Sequence, residues 1–89
     1  MPSREIRIIN KLGLHARAAS KFVTLASTFQ SQIRLRKDNR EVNGKSIMGI
    51  MMLAAGRGSH LVLSAEGPDA EAALDALERL VSSRFGDGE

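Results

Sequence analysis

Ile6 and Ile8 flank Arg7 near the start of the chain, a period of two that marks a strand with one buried face. Residues 4–9 are therefore expected to be a strand. From residue 16 the period lengthens. Ala18, Phe22, Leu25 and Phe29 fall in one row with Ala19, Val23 and Ala26 beside it, which predicts an amphipathic helix over 16–28. Alternation returns at 32–37, where Ile33 and Leu35 face inward and Arg34, Arg36 and Lys37 outward. Asp38-Asn39 reads as a tight turn, and Arg40 to Val42 as the returning strand.

Asn43-Gly44-Lys45-Ser46 is a helix-start signal, with Ser46 placed to accept a hydrogen bond from the first turn. The helix it opens, Ile47 to Leu53, is short and apolar nearly all round, and Gly56-Arg57-Gly58 is expected to end it. Residues 60–65 place Leu61 and Leu63 on a core face. Gly67-Pro68-Asp69 opens a last helix with Glu71 in its first turn. Its inward row is Ala73, Leu74, Leu77, Leu80, Val81 and Phe85, and Arg79 and Arg84 suit its C-terminal dipole. Gly86 is expected to stop it, leaving Asp87-Gly88-Glu89 as a frayed tail.

The order strand, helix, strand, strand, helix, strand, helix predicts an α+β two-layer sandwich, with four strands on one side of three helices. The arginines at 7, 34 and 36 imply that the other sheet face meets water. A chain of 89 residues suits one domain spanning 1–89. Hydrophobic residues make up 43%, which argues against disorder. The absence of cysteine excludes disulfides and thiolate metal sites. The N-terminus carries no apolar run of the signal-peptide kind, and no segment approaches the roughly 20 apolar residues of a membrane span. A cytoplasmic protein without membrane association is expected. The net charge of +3 hints at an acidic partner, but three phenylalanines and no tyrosine or tryptophan are too few to stack nucleic-acid bases.

The chemistry concentrates at Gly13-Leu14-His15-Ala16-Arg17. Gly13 breaks the strand, and His15 falls near the N-cap of the helix that follows. A helix start presents unpaired amides and the positive end of the dipole, a natural anion site. An imidazole there is a nucleophile beside a place for phosphate. The backbone amides of Ala16 and Arg17 and the planar guanidinium of Arg17 are candidate phosphate contacts. Taken alone, His15 reads as an ordinary capping or surface histidine, and Arg17 as a solvated helix residue. Ser46 reads first as an N-cap and second as a kinase target. Ile50 and Leu53 are expected to pack inward. Met48, Met51 and Met52 cannot all follow them, so part of that helix reads as a docking patch. His60 has no spaced companion, so no metal site is expected. No carboxylate pair, nucleophile triad or nucleotide-binding glycine loop is present.

Leu12-Gly13-Leu14-His15-Ala16-Arg17-Ala18-Ala19 and Val42-Asn43-Gly44-Lys45-Ser46-Ile47-Met48-Gly49-Ile50-Met51-Met52-Leu53-Ala54, at this separation, identify a likeness to a known family. The chain resembles HPr, the histidine-containing phosphocarrier of the bacterial phosphotransferase system. The resemblance runs through Phe85. It implies an open-faced β-sandwich with a four-stranded antiparallel sheet. It implies that His15 takes a phosphoryl group on Nδ1 from phosphorylated enzyme I and passes it to a histidine of an enzyme IIA-type acceptor, with no cofactor and no turnover. By the same likeness Arg17 is the phosphate-site arginine, Ser46 the serine modified by HPr kinase/phosphorylase, and Ile47, Met48, Met51 and Met52 the docking surface of a monomer. Thr24 and Ser27 stand where some sugar-system members carry lysines, which weakens attraction to acidic sugar-specific acceptors. The Gly44 and Ala54-Ala55 context is similar both to the nitrogen-branch paralogue NPr and to the single HPr of many proteobacteria. Two other classes remain open: a non-phosphorylated regulatory protein-binding module of the same fold, and a small basic RNA-binding domain.

Overall fold

The computed structural model describes residues 1–86, and the tail Asp87-Gly88-Glu89 lies outside the described residues. In chain order the elements are β1 (Ser3–Arg7), α1 (Ala16–Ala26), β2 (Gln32–Lys37), β3 (Arg40–Asn43), α2 (Ile47–Met52), β4 (His60–Glu66) and α3 (Ala70–Ser82), followed by a 3-10 turn at Arg84–Gly86. The strands form one antiparallel sheet in the order β1-β4-β2-β3. The helices cover one face, giving the two-layer α+β sandwich that the element order predicts and the open-faced sheet that the resemblance implies.

Registers explain which side chains meet. Leu63 of β4 lies opposite Leu35 of β2 and Arg4 of β1, while Leu61 lies opposite Ile6. Ile6, Ile33, Leu35, Leu61, Leu63 and Ala65 are buried against Ala18, Phe22, Ile50, Leu74, Leu77 and Phe85. Burying each large apolar side chain of this kind contributes about 1.5–3 kcal/mol. Arg7 and Arg36 point from the other face into water, and Arg34 is half-exposed beside Glu41 at 3.7 Å.

Several boundaries differ from the sequence pattern. The β1 ladder ends at Arg7, although Ile8 stays fully buried and bonds through its backbone to Gly58 and Ser59. Helix α1 stops at Ala26 with Ser27 as C-cap. Helix α2 stops at Met52, not at the Gly56-Arg57-Gly58 stretch, because Ala54 takes a left-handed φ of 50°. Helix α3 ends at Ser82, so Arg84 and Gly86 lie beyond it. Arg84 and Phe85 both adopt a φ of 57°, and this reversal returns the Phe85 ring to the core.

Long-range polar contacts tie the layers together. Arg4 of β1 reaches Glu71, Asp75 and Glu78, one stripe of α3. Those carboxylates, Glu78 foremost and Asp75 next, push the guanidinium pKa above its ordinary value. The Asp69 carboxylate does not cap its own helix. It accepts from the Ser31 hydroxyl and from the Gln30 and Ser31 amides. These donors, the hydroxyl first, hold its pKa below the usual carboxylate value.

Candidate functional site at the start of the first helix

The segment between β1 and α1 is fixed before His15 is reached. Asn10 is buried, and its side-chain amide donates to the Gly13 carbonyl at 2.8 Å. The Gly13 amide donates back to the Asn10 carbonyl at 3.2 Å. Gly13 has a φ of 69°, and a Cβ there would meet the Ala55 carbonyl oxygen at 2.5 Å and the Gly56 Cα at 2.8 Å. Glycine is required twice over, by conformation and by the close approach of another backbone. Leu14 then donates to the Ala55 carbonyl at 2.9 Å and buries its side chain. The loop after α2 thus braces the turn that leads into α1.

His15 is the N-cap residue of α1, in extended backbone conformation, and its side chain makes no capping bond. Its carbonyl accepts the first intrahelical bond, from Ala19 at 2.8 Å. The amides of Ala16, Arg17 and Ala18 precede that bond and point along the helix axis toward the cap. The ring is half-buried, and the Arg17 side chain is exposed. Among the described residues, Arg17 pairs with no carboxylate. An imidazole not engaged in capping, open amides and an unpaired guanidinium share one helix start. Such a set can receive a tetrahedral anion next to a nucleophilic nitrogen.

Helix α2 begins with the geometry that its sequence signals. The Asn43 side-chain oxygen accepts from the Lys45 amide at 2.8 Å, and Gly44 donates to Ile33 at 2.7 Å. The Ser46 hydroxyl oxygen accepts from the Gly49 amide at 3.0 Å. Ile50 and Leu53 are buried, as their spacing predicts. Ile47, Met48, Met51 and Met52 remain exposed, Met48 most of all at 74%. Helices α1 and α2 pack against each other.

A family model described as the PTS HPr component phosphorylation site matches residues 2–83. The chain belongs to the HPr family. The phosphocarrier protein HPr of Cupriavidus necator is 54% identical over 89 residues and covers 100% of both chains. The crystal structure of HPr-C-His from Thermoanaerobacter tengcongensis has a TM-score of 0.94 at 54% identity, covering 98% of each chain. An HPr dimer from the same organism has a TM-score of 0.79 at 54% identity, covering 98% of this chain and 100% of its own. HPr-family membership makes the chain a phosphocarrier-type protein, and the open-faced sandwich is the fold of these HPr structures.

Within this HPr fold, some contacts around the site have no local sequence signal. Asn10 is one. Lys37 and Arg40 are others: Lys37 donates to the carbonyls of Leu53 and Ala54, and Arg40 to that of Met52. They satisfy the C-terminal carbonyls of α2 from the β2–β3 hairpin. Lys45 similarly donates to the Phe29 carbonyl beyond the end of α1. Part of the basic excess is therefore used internally. His60 opens β4 opposite Arg7, away from the described His15 turn in sequence and element. No helix among the described residues is long and apolar enough to cross a membrane.

Proposed function

We propose that the protein is a phosphoryl relay, in which His15 Nδ1 accepts a phosphoryl group from phosphorylated enzyme I and donates it to a histidine of an enzyme IIA-type acceptor. The observation that carries this reading is the His15 imidazole, which sits at the N-cap of α1 without capping it. A histidine kept for capping would be bonded to the first turn. The Ala16 and Arg17 amides and the Arg17 guanidinium stabilise the transferred group by charge and directed hydrogen bonds. The protein is a stoichiometric intermediate in this scheme, regenerated by each transfer.

Ile47, Met48, Met51 and Met52 form the docking surface for both partners, because flexible thioethers adapt to more than one apolar face. Phosphorylation of Ser46 by an HPr kinase/phosphorylase adds negative charge to that surface and weakens docking to acidic partners. The carrier acts in the cytoplasm as a monomer, a state that sedimentation would separate from a dimer.

Incubation with enzyme I and phosphoenolpyruvate tests the relay. Wild-type protein gains one acid-labile phosphate and His15→Ala gains none. Equal labelling of the two proteins, or no labelling of either, removes His15 from the role.

A further inference from the structure

Three arginines from distant parts of the chain line one cleft of about 230 Å³. Arg7 ends β1, Arg57 lies in the loop after α2, and Arg84 lies in the turn after α3. Ile8, Ile9 and Gly58 complete the walls. The convergence is built by the backbone. Gly58, at a φ of 91°, donates to the Ile8 carbonyl at 2.7 Å, and Ile8 donates to Ser59 at 2.9 Å. These bonds hold the Arg57 loop against the end of β1. The buried Phe85 ring anchors the reversed turn that carries Arg84.

Several other cations of the molecule are already engaged, and what sets these three apart from the remaining unpaired ones is that they share a cleft. Arg4 meets three carboxylates, Arg34 meets Glu41, and Lys37, Arg40 and Lys45 donate to carbonyls. Among the described residues, Arg7, Arg57 and Arg84 have no hydrogen-bond or ion-pair partner. Like charges gathered without a counter-charge repel one another, and an entering anion relieves that repulsion.

We propose that this cleft binds a diphosphate group. A guanidinium presents a planar fork suited to two phosphate oxygens at once. A single phosphate offers too few oxygens for three forks, whereas a diphosphate offers enough, and its charge matches the cluster. The volume is smaller than the roughly 300 Å³ at which pockets for drug-sized ligands begin, so a nucleoside attached to the diphosphate would stay outside. The lining includes neither His15 nor Arg17, and binding here does not depend on phosphoryl transfer.

Amide NMR titration of the full chain with inorganic pyrophosphate, at constant ionic strength, tests the site. Parallel titrations use ADP and inorganic phosphate. Saturable shifts are expected at Ile8, Ile9, Gly58 and Arg84. Arg57→Ala and Arg84→Ala should each weaken binding about tenfold or more. Arg36→Ala, an exposed arginine outside the cleft, should change it less than about twofold. Binding of ADP as tight as that of pyrophosphate supports a nucleotide diphosphate as the occupant, and preference for pyrophosphate supports the free anion. Non-saturating shifts overturn the proposal. So do shifts confined to Ala16, Arg17 and Ala18, equal affinity for inorganic phosphate, or indifference to both cleft substitutions.

Discussion

Asn10 and Gly13 clasp each other through two hydrogen bonds, side-chain amide to carbonyl at 2.8 Å and amide to carbonyl at 3.2 Å. His15 lies two residues beyond Gly13, so the clasp fixes the backbone that leads into it. The Asn10 side chain is buried, and removing it leaves the Gly13 carbonyl without its donor. Asn10→Ala should cost about 1–3 kcal/mol of stability, read by urea denaturation, and should slow phosphoryl acceptance by His15. Unchanged stability and unchanged transfer would show that the turn holds itself without Asn10.

Neighbouring residues of α2 should separate docking from folding. Ile50 is fully buried and Met48 is 74% exposed. Ile50→Ala should destabilise by about 2–5 kcal/mol through the cavity it leaves. Met48→Asp should stay within about 0.5 kcal/mol of wild-type stability yet weaken enzyme I binding, because docking would bury an unpaired carboxylate. Calorimetric titration checks this. Equal affinities would move the docking surface away from Met48.

The layers of this fold are legible in the sequence where burial repeats with a period. Ile33 and Leu35, Leu61 and Leu63, and the Ala18–Phe22 row of α1 all pack as their spacing predicts. Element ends are less legible, because tertiary contacts set them. Ala54 takes a left-handed turn that sequence would assign to glycine, while Lys37 and Arg40 cap the carbonyls before it. Phe85 returns to the core only because Arg84 and Phe85 reverse the chain beyond α3. At the candidate site, the motif marks His15, Arg17 and Ser46. It does not mark Asn10, since one polar residue in a loop has no period and its partner is a backbone carbonyl.

Asp69 joins α3 to the strand-entry segment at Gln30 and Ser31, and its pKa is lowered in the fold. A carboxyl with a lower pKa folded than unfolded binds fewer protons in the native state. Its contribution is therefore complete above the unfolded value, near 3.8, and is lost as pH falls through the folded value. The wild type should lose stability below about pH 4. Asp69→Asn should lose less over the same range while being less stable at neutral pH. Parallel losses in urea midpoint between pH 7 and pH 3 would exclude Asp69 as a source of acid sensitivity.

The Ser46 hydroxyl is already occupied by the Gly49 amide. Ser46→Ala should therefore cost about 1 kcal/mol, whereas Ser46→Asp keeps a capping acceptor and adds a negative charge at the helix start. If charge at this position regulates docking, Ser46→Asp should bind enzyme I more weakly than Ser46→Ala despite its greater stability. Affinities that follow stability instead would assign Ser46 to capping alone.

Arg17 offers the sharpest test of the electrostatic part of the relay. Its side chain is exposed and pairs with no described carboxylate, so its loss should leave thermal stability within about 0.5 kcal/mol of wild type. Transfer is different, because the departing and arriving phosphoryl group carries charge that a guanidinium can match through its planar fork. Arg17→Ala should slow both acceptance from enzyme I and donation onward, by about tenfold to a hundredfold. Lysine keeps the charge but loses the fork, so Arg17→Lys should fall between alanine and wild type. Rapid-quench rates with each partner separate these cases. Full recovery in Arg17→Lys would reduce the requirement to charge alone, and wild-type rates in Arg17→Ala would leave the helix-start amides as the sole stabilising groups.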